Sequence, residues 1–544
     1  MRGMMMDAPL LIPTILEYAA KFHGGTEIVS RAEDGGLDRT TYAETAKRAR
    51  KLANALVALD LQPGDRVGTL AWNVYRHFEL YYAVPGTGLV CHTVNPRLFP
   101  DQIQFIIDDA EDRYVFVDPS FVTLLAGIAA RLPKVRGFVI MTDRAHMPAT
   151  PLPNVLCYEE LIANQPDTFD WPVLDENTAS GMCYTSGTTG NPKGVLYSHR
   201  STLLHAMATN RADVLGFSVR DVVMPVVPMF HVNSWGVPYS VAMTGAKVVL
   251  PGGKLDGASL LELINGEGVT VTAGVPTVWL ALLNHVDVAK ASLAPLDRVM
   301  IGGSACPASM MERFAAKGVR VIHAWGMTET SPIAATSILA PRHDGLSAAE
   351  QMALRIKQGC PPYGVDMRIV DPDGAVQPWD GKTRGILEVR GAWICDGYFN
   401  NVDRSSFSAD GWFATGDVCT ITPDGFMEIV DRTKDMIKSG GEWISSISLE
   451  NVAIAHPAVR EVAAIARADE KWGERPRLVI ALKHGAELTA EDMRRYLEPH
   501  LAKWCIPDDI VIVDDLPHTA TGKLLKMELR RLYGGETVPG AVKL

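Results

Sequence analysis

Short runs of aliphatic and β-branched residues alternate with longer amphipathic segments through the first 340 residues. The run at 65–72 has the pattern of a strand, and 74–84 has that of the helix that follows it. Further strand candidates, several ending in Gly or Pro before a helix-like segment, lie at 222–227, 246–251, 269–274, 298–303 and 320–325. This alternation predicts an α/β fold with doubly wound sheets. Ligands of such folds bind beyond the carboxyl ends of the strands, so the residues after each run are site candidates.

The hydrophobic pattern changes beyond residue 380. The stretches "GILEVRG", "DGWFATGD" and "DGFMEIVDR" predict short strands separated by turns, typical of a small barrel-like subdomain. From about residue 435 onward, strand patterns surround a helical "AEDMRRYLEPHLAK", which indicates a compact α+β domain. We therefore predict a large N-terminal domain at 1–431, a hinge at 432–434 and a small C-terminal domain at 435–544.

Composition narrows the class of protein. A chain of 544 residues exceeds the size at which a single core stops growing, which also predicts at least two domains. The formal net charge of -11 argues against binding of nucleic acid. No apolar run reaches the ~20 residues of a membrane span, and the first residues lack a signal-peptide pattern, so a cytoplasmic protein is expected. The eight cysteines are scattered without a C-x-x-C pair, which argues against a disulfide framework or a zinc site.

The stretch "TSGTTGNPKG" at 185–194 is the first candidate for chemistry. It follows a strand candidate at 180–184, and its glycine backbone, hydroxyls and one lysine could bind an anion. The Walker pattern does not fit, because Pro192 precedes Lys193 and Gly194 follows it. A flexible surface turn is the alternative that these ten residues leave open.

Six further motifs follow this loop along the chain. In order, they are "PMFHVNSWG" (228–236), "IGGSACP" (301–307), "WGMTET" (325–330), "GWFATGD" (411–417), "DRTKDMIKSGGEWIS" (431–445) and "LPHTATGKLLK" (516–526). Together the seven resemble the motif series of the adenylate-forming superfamily, which includes acyl-CoA synthetases, firefly-type luciferases and peptide-synthetase adenylation domains. The sequences within these motifs are similar to those of bacterial medium-chain fatty acyl-CoA synthetases and 3-(methylthio)propionyl-CoA ligases.

The resemblance implies an AMP-forming acyl-CoA ligase that uses ATP, CoA and Mg²⁺. A carboxylic acid would react with ATP to acyl-AMP and pyrophosphate, and CoA would then release AMP. The loop residues implied to hold the β- and γ-phosphates are Thr185, Ser186, Gly187, Thr188, Thr189, Gly190 and Lys193. Glu329 matches the Mg²⁺-binding carboxylate, Thr328 the α-phosphate contact, and Lys523 the lysine that reaches the reacting carboxylate.

Other nucleotide and CoA contacts follow from the same resemblance. The remaining AMP-binding positions are Ser304, Ala305, Trp325, Gly326, Met327, Asp417 and Arg432. Trp325 replaces a common Tyr and should still stack on adenine, while Asp417 suits the ribose hydroxyls. The small domain would rotate about Lys434 between the two steps and present the CoA-binding residues Lys438, Gly440, Gly441, Glu442 and Trp443.

The acyl pocket is implied by motif matches at the ends of several strand candidates. Its residues are His231, Trp235, Ala273, Gly274, Gly302, Gly303 and Ile333. His231 matches a gate beside the substrate carboxylate and is also a catalytic candidate, although a lone histidine at a strand end is more often structural. Bulky Trp235 should shorten the pocket, which favours a short- or medium-chain fatty acid or 3-(methylthio)propionate.

Three alternatives remain open from the sequence. They are a phosphate-loop NTPase or kinase that releases ADP, a nucleotide- or acyl-binding protein without activity, and an adenylate-forming enzyme with another acyl acceptor. Retention of Glu329, Asp417 and Lys523 argues against the inactive protein. The resemblance also suggests a homodimer and a role in fatty-acid metabolism or dimethylsulfoniopropionate degradation.

Overall fold

The computed structural model describes residues 1, 3–185, 192–440, 442–518, 524–535 and 542–543. These residues fall into two compact units. The described residues of the first unit are those up to 185, 192–367 and 389–413, and those of the second are 368–388 and the part of the chain after 413. Each unit is described by itself below.

The strands of the first unit form two mostly parallel sheets. In chain order they are β1 (Glu27–Arg31), β2 (Leu37–Thr41), β3 (Arg66–Leu70), β4 (Val90–Thr93), β5 (Asp112–Val117), β6 (Gly137–Ile140), β7 (Val155–Cys157), β8 (Ala179–Tyr184), β9 (Gly194–Ser198), β10 (Val222–Pro225), β11 (Lys247–Leu250), β12 (Val271–Gly274), β13 (Arg298–Ile301), β14 (Arg320–Gly326) and β15 (Ile333–Ser337). One sheet has the order β7-β6-β5-β3-β4-β8-β9 and the other β15-β14-β13-β12-β10-β11-β1-β2. Among the described residues of these two sheets, the edge strands β9, β15 and β2 pair with their neighbours in antiparallel fashion and the other strand pairs are parallel.

Helices of the first unit follow most of these strands. They are α1 (Pro13–Phe22), α2 (Tyr42–Ala58), α3 (Tyr75–Gly86), α4 (Pro100–Asp109), α5 (Val122–Ala126), α6 (Tyr158–Ala163), α7 (His199–Thr209), α8 (Val232–Trp235), α9 (Val237–Thr244), α10 (Gly257–Glu267), α11 (Pro276–Ala289), α12 (Ala308–Ala315) and α13 (Ala348–Arg355). Short 3₁₀ turns lie at Pro119–Phe121, Ala129–Arg131, Arg144–His146, Thr328–Thr330 and Pro341–His343.

The predicted α/β fold is confirmed strand by strand. The run at 65–72 contains β3, the following helix pattern corresponds to α3, and the five later strand candidates contain β10 to β14. The central strands are buried on both faces, which explains why their sequences are continuously apolar rather than alternating. The starts of some helices are also determined by the local sequence. At the start of α7, the Ser198 side chain accepts a hydrogen bond from the Ser201 N–H.

The second unit carries two smaller sheets and three α-helices among its described residues. Its elements, three of which begin or end across the unit boundary, are β16 (Val365–Val370), β17 (Gly385–Gly391), β18 (Phe413–Ile421), β19 (Met427–Arg432), β20 (Ile437–Ser439), β21 (Glu442–Ile444), α14 (Ser446–Ile454), β22 (Val459–Asp469), β23 (Gly473–Leu482), α15 (Ala490–Leu497), a 3₁₀ turn (Lys503–Cys505), β24 (Asp509–Val513), α16 (Lys526–Tyr533) and β25 (Val542–Lys543). Strands β16 to β19 form a four-stranded sheet where the sequence predicts the small subdomain. Strands β20 to β25 form a second sheet whose core contacts α14 and α15, as an α+β domain should.

Across the described ranges, none of the helices combines the length and apolar character that a bilayer span requires.

Candidate active site

Four neighbouring parallel strands of the eight-stranded sheet bring the predicted acyl residues and part of the predicted AMP-binding residues to one edge. Strands β10, β12, β13 and β14 are adjacent, so their carboxyl ends lie side by side. The segments that leave these ends contain residues 226–236, 274–275, 302–307 and 327–332. The predicted acyl residues and the Thr328–Glu329 pair therefore lie at the same edge of the sheet, although they are up to about 100 residues apart in the sequence.

The glycine-rich stretch connects the antiparallel strands β8 and β9. At its base the Thr185 N–H donates to the Lys193 carbonyl at 2.9 Å, and the Lys193 N–H donates to Thr185 Oγ1 at 3.1 Å. A strand, not a helix, follows Lys193. This connection differs from a Walker loop, whose phosphate-binding turn opens a helix.

Several predicted site residues lie outside the described residues. They are Ser186, Gly187, Thr188, Thr189 and Gly190 of the loop, Gly441 of the CoA motif, and Lys523; for Glu442 only the backbone is described. Their assigned roles stay predictions.

Glu329 lies next to the base of the loop. Its carboxylate Oε1 accepts a hydrogen bond from the Tyr398 hydroxyl at 2.8 Å, and the Tyr398 ring lies 4.8 Å from Lys193 Nζ. Lys193 Nζ is also 3.8 Å from Asp403 Oδ2. One tyrosine thus contacts both the lysine of the phosphate loop and the predicted metal carboxylate.

Two further contacts hold the Thr328–Glu329 turn in place. The Tyr197 hydroxyl of β9 donates to the Thr328 carbonyl at 2.8 Å, and the Cys395 N–H donates to the Glu329 carbonyl at 2.8 Å. Burial and the Glu329 charge raise the pKa of Tyr398 far above its usual range. Its hydroxyl therefore stays protonated and can donate to the carboxylate at every physiological pH.

The predicted adenine-binding residues surround the end of β14. Trp325 is buried in this strand, opposite Ala335 of β15. A Cβ on Gly326 would lie 1.9 Å from the Pro332 carbonyl oxygen, so only glycine allows this close approach. Ser304 and Ala305, beyond β13, are exposed. Met327 donates its N–H to Thr330 Oγ1 at 2.9 Å and starts the 3₁₀ turn.

The segment after His231 has an unusual backbone. The four residues of α8 have φ between 46° and 55°, and Gly236 continues at 74°, so the turn is left-handed. Left-handed non-glycine residues cost about 1–2 kcal/mol each, so surrounding contacts must stabilise the turn. Ser234 Oγ donates to the Val227 carbonyl at 2.6 Å, and Asn233 Oδ1 accepts from Cys183 Sγ at 3.4 Å.

This turn positions Trp235 among the predicted acyl residues. A Cβ on Gly302 would lie 3.1 Å from Trp235 Cη2, so the indole lies directly on that glycine. Trp235, Ala273 and Ile333 belong to one buried cluster. Gly274 faces Trp279 instead: its Cβ would meet Trp279 Cζ2 at 2.6 Å. Gly303 is exposed. His231 is half-buried and immediately precedes the left-handed turn, and its backbone N–H donates a hydrogen bond to the Pro228 carbonyl.

Asp417 and Arg432 are neighbours in the second unit. They lie opposite each other on β18 and β19, and Arg432 Nε is 3.0 Å from Asp417 Oδ1. The Asp417 side chain is only 2% exposed, whereas Arg432 is 45% exposed. Asp417 and Arg432 therefore form one paired group, and their role in ribose binding stays a prediction. Lys434 follows in the turn, and burial lowers its pKa.

The predicted CoA residues form a small aromatic surface. Lys438 and Trp443 are cross-strand partners on β20 and β21, with Lys438 Nζ 4.6 Å from the ring centroid. Gly440 has a φ of 59°, and its Cβ would lie 2.5 Å from the Trp472 ring. Trp443 and Trp472 are both partly exposed. Two indoles thus flank the Gly440 turn.

Sequence reasoning missed three side chains of these sites. Tyr398 and Tyr197 contact the Thr328–Glu329 turn, and Trp472 covers Gly440. Tyr398 stands in "DGYFN", a stretch that the hydrophobic pattern marks only as turn-rich. Polar aromatic residues inside such turns are the signal that could have suggested it.

Comparison with known proteins decides the family. The family pattern described as AMP-binding enzyme matches residues 16–399, and that of the AMP-binding enzyme C-terminal domain matches 448–523. The chain belongs to the AMP-binding enzyme family. The resemblance drawn from the seven motifs is therefore confirmed.

Two curated relatives and one solved structure show how far the likeness extends. The chain is 52% identical to the 3-methylmercaptopropionyl-CoA ligase of Ruegeria lacuscaerulensis, over 97% of this chain and 98% of the relative. It is 51% identical to the medium-chain-fatty-acid–CoA ligase of Ectopseudomonas oleovorans, over 98% of each. A crystal structure of an anthranilate CoA ligase with anthranoyl-AMP superposes with a TM-score of 0.84 at 26% identity, covering 96% of this AMP-binding enzyme and 98% of that chain.

Proposed function

We propose that this AMP-binding enzyme is an AMP-forming acyl-CoA ligase for a short- or medium-chain carboxylic acid. The observation that carries the proposal is the group of Glu329, Tyr398 and Lys193 at the base of the phosphate loop, beside the buried acyl cluster. A carboxylate, a protonated hydroxyl and an ammonium group at the carboxyl ends of parallel strands suit an ATP site. The identity to two CoA ligases over nearly the whole chain supports the same reaction class.

In the first step the substrate carboxylate attacks the α-phosphorus of ATP, and pyrophosphate leaves. Catalysis of phosphoryl-centre displacement rests mainly on positioning and charge stabilisation. We assign the β- and γ-phosphates to the loop from Thr185 to Lys193 and the α-phosphate to Thr328. Lys523 supplies the positive charge next to the attacking carboxylate, and Asp417 with Arg432 binds the ribose.

The residues around Glu329 fit a magnesium ion. Mg²⁺ is usually held by one or two carboxylates together with substrate phosphates, and Glu329 offers one such carboxylate beside the loop. When bound, the ion would neutralise charge on the phosphates. Tyr398 orients the Glu329 carboxylate, and Lys193 adds a second cation at the phosphates.

In the second step the CoA thiolate attacks the acyl carbonyl, and AMP leaves. We assign the pantetheine contact to the turn at Gly440 and Gly441, with Trp443, Lys438 and Glu442 beside it. The partly exposed Trp472 extends this surface. The small domain rotates about Lys434 so that Lys523 serves the first step and the Gly440 turn the second.

The shape of the acyl cluster supports a compact acid. Trp235 lies on Gly302, so the indole fills space that a longer chain would need. Both 3-(methylthio)propionate and C4–C8 fatty acids are small enough for such a pocket. The two relatives are a ligase of 3-methylmercaptopropionate and a ligase of medium-chain fatty acids, which are the same two substrate classes.

Product analysis tests the reaction. Purified protein is given ATP, CoA and a panel of C2 to C12 acids plus methylthio acids, and AMP, ADP and pyrophosphate are quantified. We expect AMP and pyrophosphate to form in equal amounts with the preferred acid. ADP in place of AMP would refute the proposal, and AMP formation that does not need CoA would indicate another acyl acceptor.

Three broader expectations are part of the proposal. We expect the enzyme to act in the cytoplasm, where ATP and CoA are available, and to form a homodimer. If 3-(methylthio)propionate is preferred in the acid panel, the reaction belongs to dimethylsulfoniopropionate degradation; if a C4–C8 acid is preferred, it belongs to fatty-acid metabolism.

A further inference from the structure

The hairpin that carries Gly440 is short. β20 and β21 have 3 residues each, and Ser439 pairs with Glu442 where the chain turns. The hairpin joins the larger sheet of the second unit at the same residue, because Ser439 also pairs with Gly473 of β23. A two-stranded hairpin is only marginally stable in water by itself. The position of the turn therefore depends on the contacts that neighbouring segments make with β20.

Two backbone N–H groups of the hairpin are bonded to the start of β23. The Gly440 N–H donates to the Trp472 carbonyl at 2.8 Å, and the Lys438 N–H donates to Glu474 Oε2 at 2.8 Å. The bond to Glu474 lies at an exposed position, where exchange with water leaves it a small net effect. Both bonds attach the hairpin to the beginning of one strand.

Arg475 joins the hairpin to a second segment. Its Nη1 donates to Ser439 Oγ at 3.1 Å and to the Trp504 carbonyl at 2.7 Å, and Nη2 donates to the Ile506 carbonyl at 3.0 Å. Nε and Nη2 also form a bidentate pair with the Asp508 carboxylate, at 2.5 and 3.0 Å. A guanidinium has five N–H groups, and these five hydrogen bonds use all of them.

The contact between Arg475 and Ser439 is buried, so its geometry is well defined. Arg475 is 9% exposed and Ser439 6% exposed. A guanidinium presents its donors in a planar fork, whereas a lysine ammonium is a point charge on a flexible chain. A lysine at this position could keep the ion pair with Asp508 but could not also reach Ser439 Oγ and the two carbonyls. The arrangement therefore uses the shape of arginine as well as its charge.

We propose that Arg475 is a positioning residue for the CoA step, because it fixes the Gly440 turn against the 504–508 segment so that the turn can receive the pantetheine arm. The inference rests on the proposed acyl-CoA ligase function, in which this turn serves the second step. It implies that Arg475 is dispensable for formation of acyl-AMP, which we assign to other residues. A residue needed only for stability would affect both steps alike.

The test compares the two half-reactions in Arg475→Lys, with the acid that the panel identifies as preferred. Acid-dependent ATP–pyrophosphate exchange measures the first step, and acyl-CoA formation from supplied acyl-AMP measures the second. A displacement of about 1 Å in a positioning group can cost about 100-fold in rate. We expect kcat/KM for CoA to fall about 10- to 100-fold, with pyrophosphate exchange within about twofold of the wild type.

Arg460→Lys is the matched control. Arg460, on β22, also donates to a backbone carbonyl and to an aspartate, here those of Asp514 and Asp515. It is exposed, and these partners belong to the segment after β24. The variant should leave both half-reactions and the thermal midpoint of unfolding unchanged.

A second variant isolates the contact with the hairpin. Ser439→Ala removes the hydroxyl that Arg475 binds and keeps the backbone of β20. It should lower kcat/KM for CoA about three- to tenfold, as expected for one lost hydrogen bond. Combined with Arg475→Lys, the losses should be less than additive, because both changes break the same contact. Additive losses would overturn the assignment of Arg475 to the turn.

The outcomes separate this inference from the proposed function. A wild type without acid-dependent pyrophosphate exchange, or without CoA-dependent AMP release, would refute the function and the inference with it. With an active wild type, a folded Arg475→Lys variant whose two half-reactions fall by the same factor, or both stay unchanged, would refute the inference alone. If thermal unfolding shows that Arg475→Lys does not fold, Ser439→Ala carries the test, and an unchanged CoA step in that variant would refute the inference.

Discussion

The phosphate end and the acyl end of the first unit are organised in different ways. At the phosphate end, polar side chains fix one another: Tyr398 contacts both Glu329 and Lys193, and Tyr197 holds the Thr328 carbonyl. At the acyl end, a left-handed turn presses Trp235 onto Gly302. Hydrogen bonding and charge therefore determine which residue types fit at the phosphate end, whereas side-chain size and packing determine them at the acyl end. Changes at the two ends should consequently alter different kinetic steps.

The largest effect is expected at the phosphate end, for Glu329→Gln. The substitution keeps the size of the side chain but removes the charge that we assign to Mg²⁺. Loss of one preorganised electrostatic contact typically costs about 100- to 1,000-fold in rate. ATP–pyrophosphate exchange should fall by that factor, while Glu312→Gln on the exposed side of α12 should be neutral. An exchange rate within a factor of two of the wild type would contradict the assignment.

Removal of the Tyr398 hydroxyl should have a smaller effect on the same step. Tyr398→Phe keeps the ring near Lys193 but releases the Glu329 carboxylate. Groups that orient a metal ligand typically contribute about 10- to 100-fold to metal affinity. We expect the Mg²⁺ concentration for half-maximal rate to rise about tenfold, whereas Tyr18→Phe should not change it.

A comparison with Tyr398→Leu separates the two contacts of this residue. The leucine variant also loses the ring that faces Lys193, so it should weaken ATP binding beyond the effect of phenylalanine. If phenylalanine and leucine gave the same Mg²⁺ and ATP dependence, the contact with Lys193 would have no functional role.

At the acyl end, Gly302→Ala should affect the acid and spare ATP. The new Cβ would lie 3.0 Å from the Ala324 carbonyl oxygen and 3.1 Å from Trp235 Cη2, so the indole must shift. Overpacking of this kind costs about 1–3 kcal/mol. We expect the KM for a C8 acid to rise about five- to tenfold with an unchanged KM for ATP.

Two control variants accompany this prediction. Gly345→Ala, whose Cβ would meet nothing within 4 Å, should behave as wild type. Trp235→Phe in the Gly302→Ala background should restore part of the affinity for the acid, because the smaller phenyl ring leaves room for the new methyl group. A rise in the KM for ATP instead would show that the two ends are not separate.

The last effect concerns folding and not catalysis: it is the acid stability of the first unit at His205, whose ring would meet a Cβ on Gly236 of the left-handed turn. Burial lowers the pKa of His205 to about 3, whereas an unfolded histidine titrates near 6.5. The unfolded chain therefore binds this proton first, and the stability present above pH 6.5 is lost as the pH falls towards 3. His205→Gln should reduce the slope of unfolding free energy between pH 6.5 and 4 by up to about 1.4 kcal/mol per pH unit.

Urea unfolding at several pH values measures this slope. The exposed His484→Gln variant should retain the wild-type slope. The buried residues His77 and His199, whose pKa values are likewise lowered to about 4 by burial, should preserve part of the slope in the His205 variant. An unchanged slope after His205→Gln would show that His205 is protonated without unfolding.

The same contrast explains what could be predicted from the sequence. Apolar runs, several of which end in Gly or Pro, predicted β3 and β10 to β14. Polar motifs pointed to Glu329 and Asp417, whose roles stay predictions. The left-handed turn could not be predicted, because Val232 to Trp235 include no glycine and the stabilising contacts come from Cys183 and Val227. Tyr398 was missed for a similar reason, since its partner Glu329 lies 69 residues away.

The reciprocal hydrogen bonds between Thr185 and Lys193 have a consequence for how such enzymes diverge. Both bonds use backbone N–H groups, with one carbonyl and one hydroxyl as acceptors, so most substitutions between the two positions leave them intact. Thr185 and Lys193, the two residues that bound the stretch from 186 to 192, are thereby fixed to each other at the end of the β8–β9 hairpin. Affinity for the ATP phosphates should therefore be adjustable by substitutions within this stretch, without a change in the sheet that supports it.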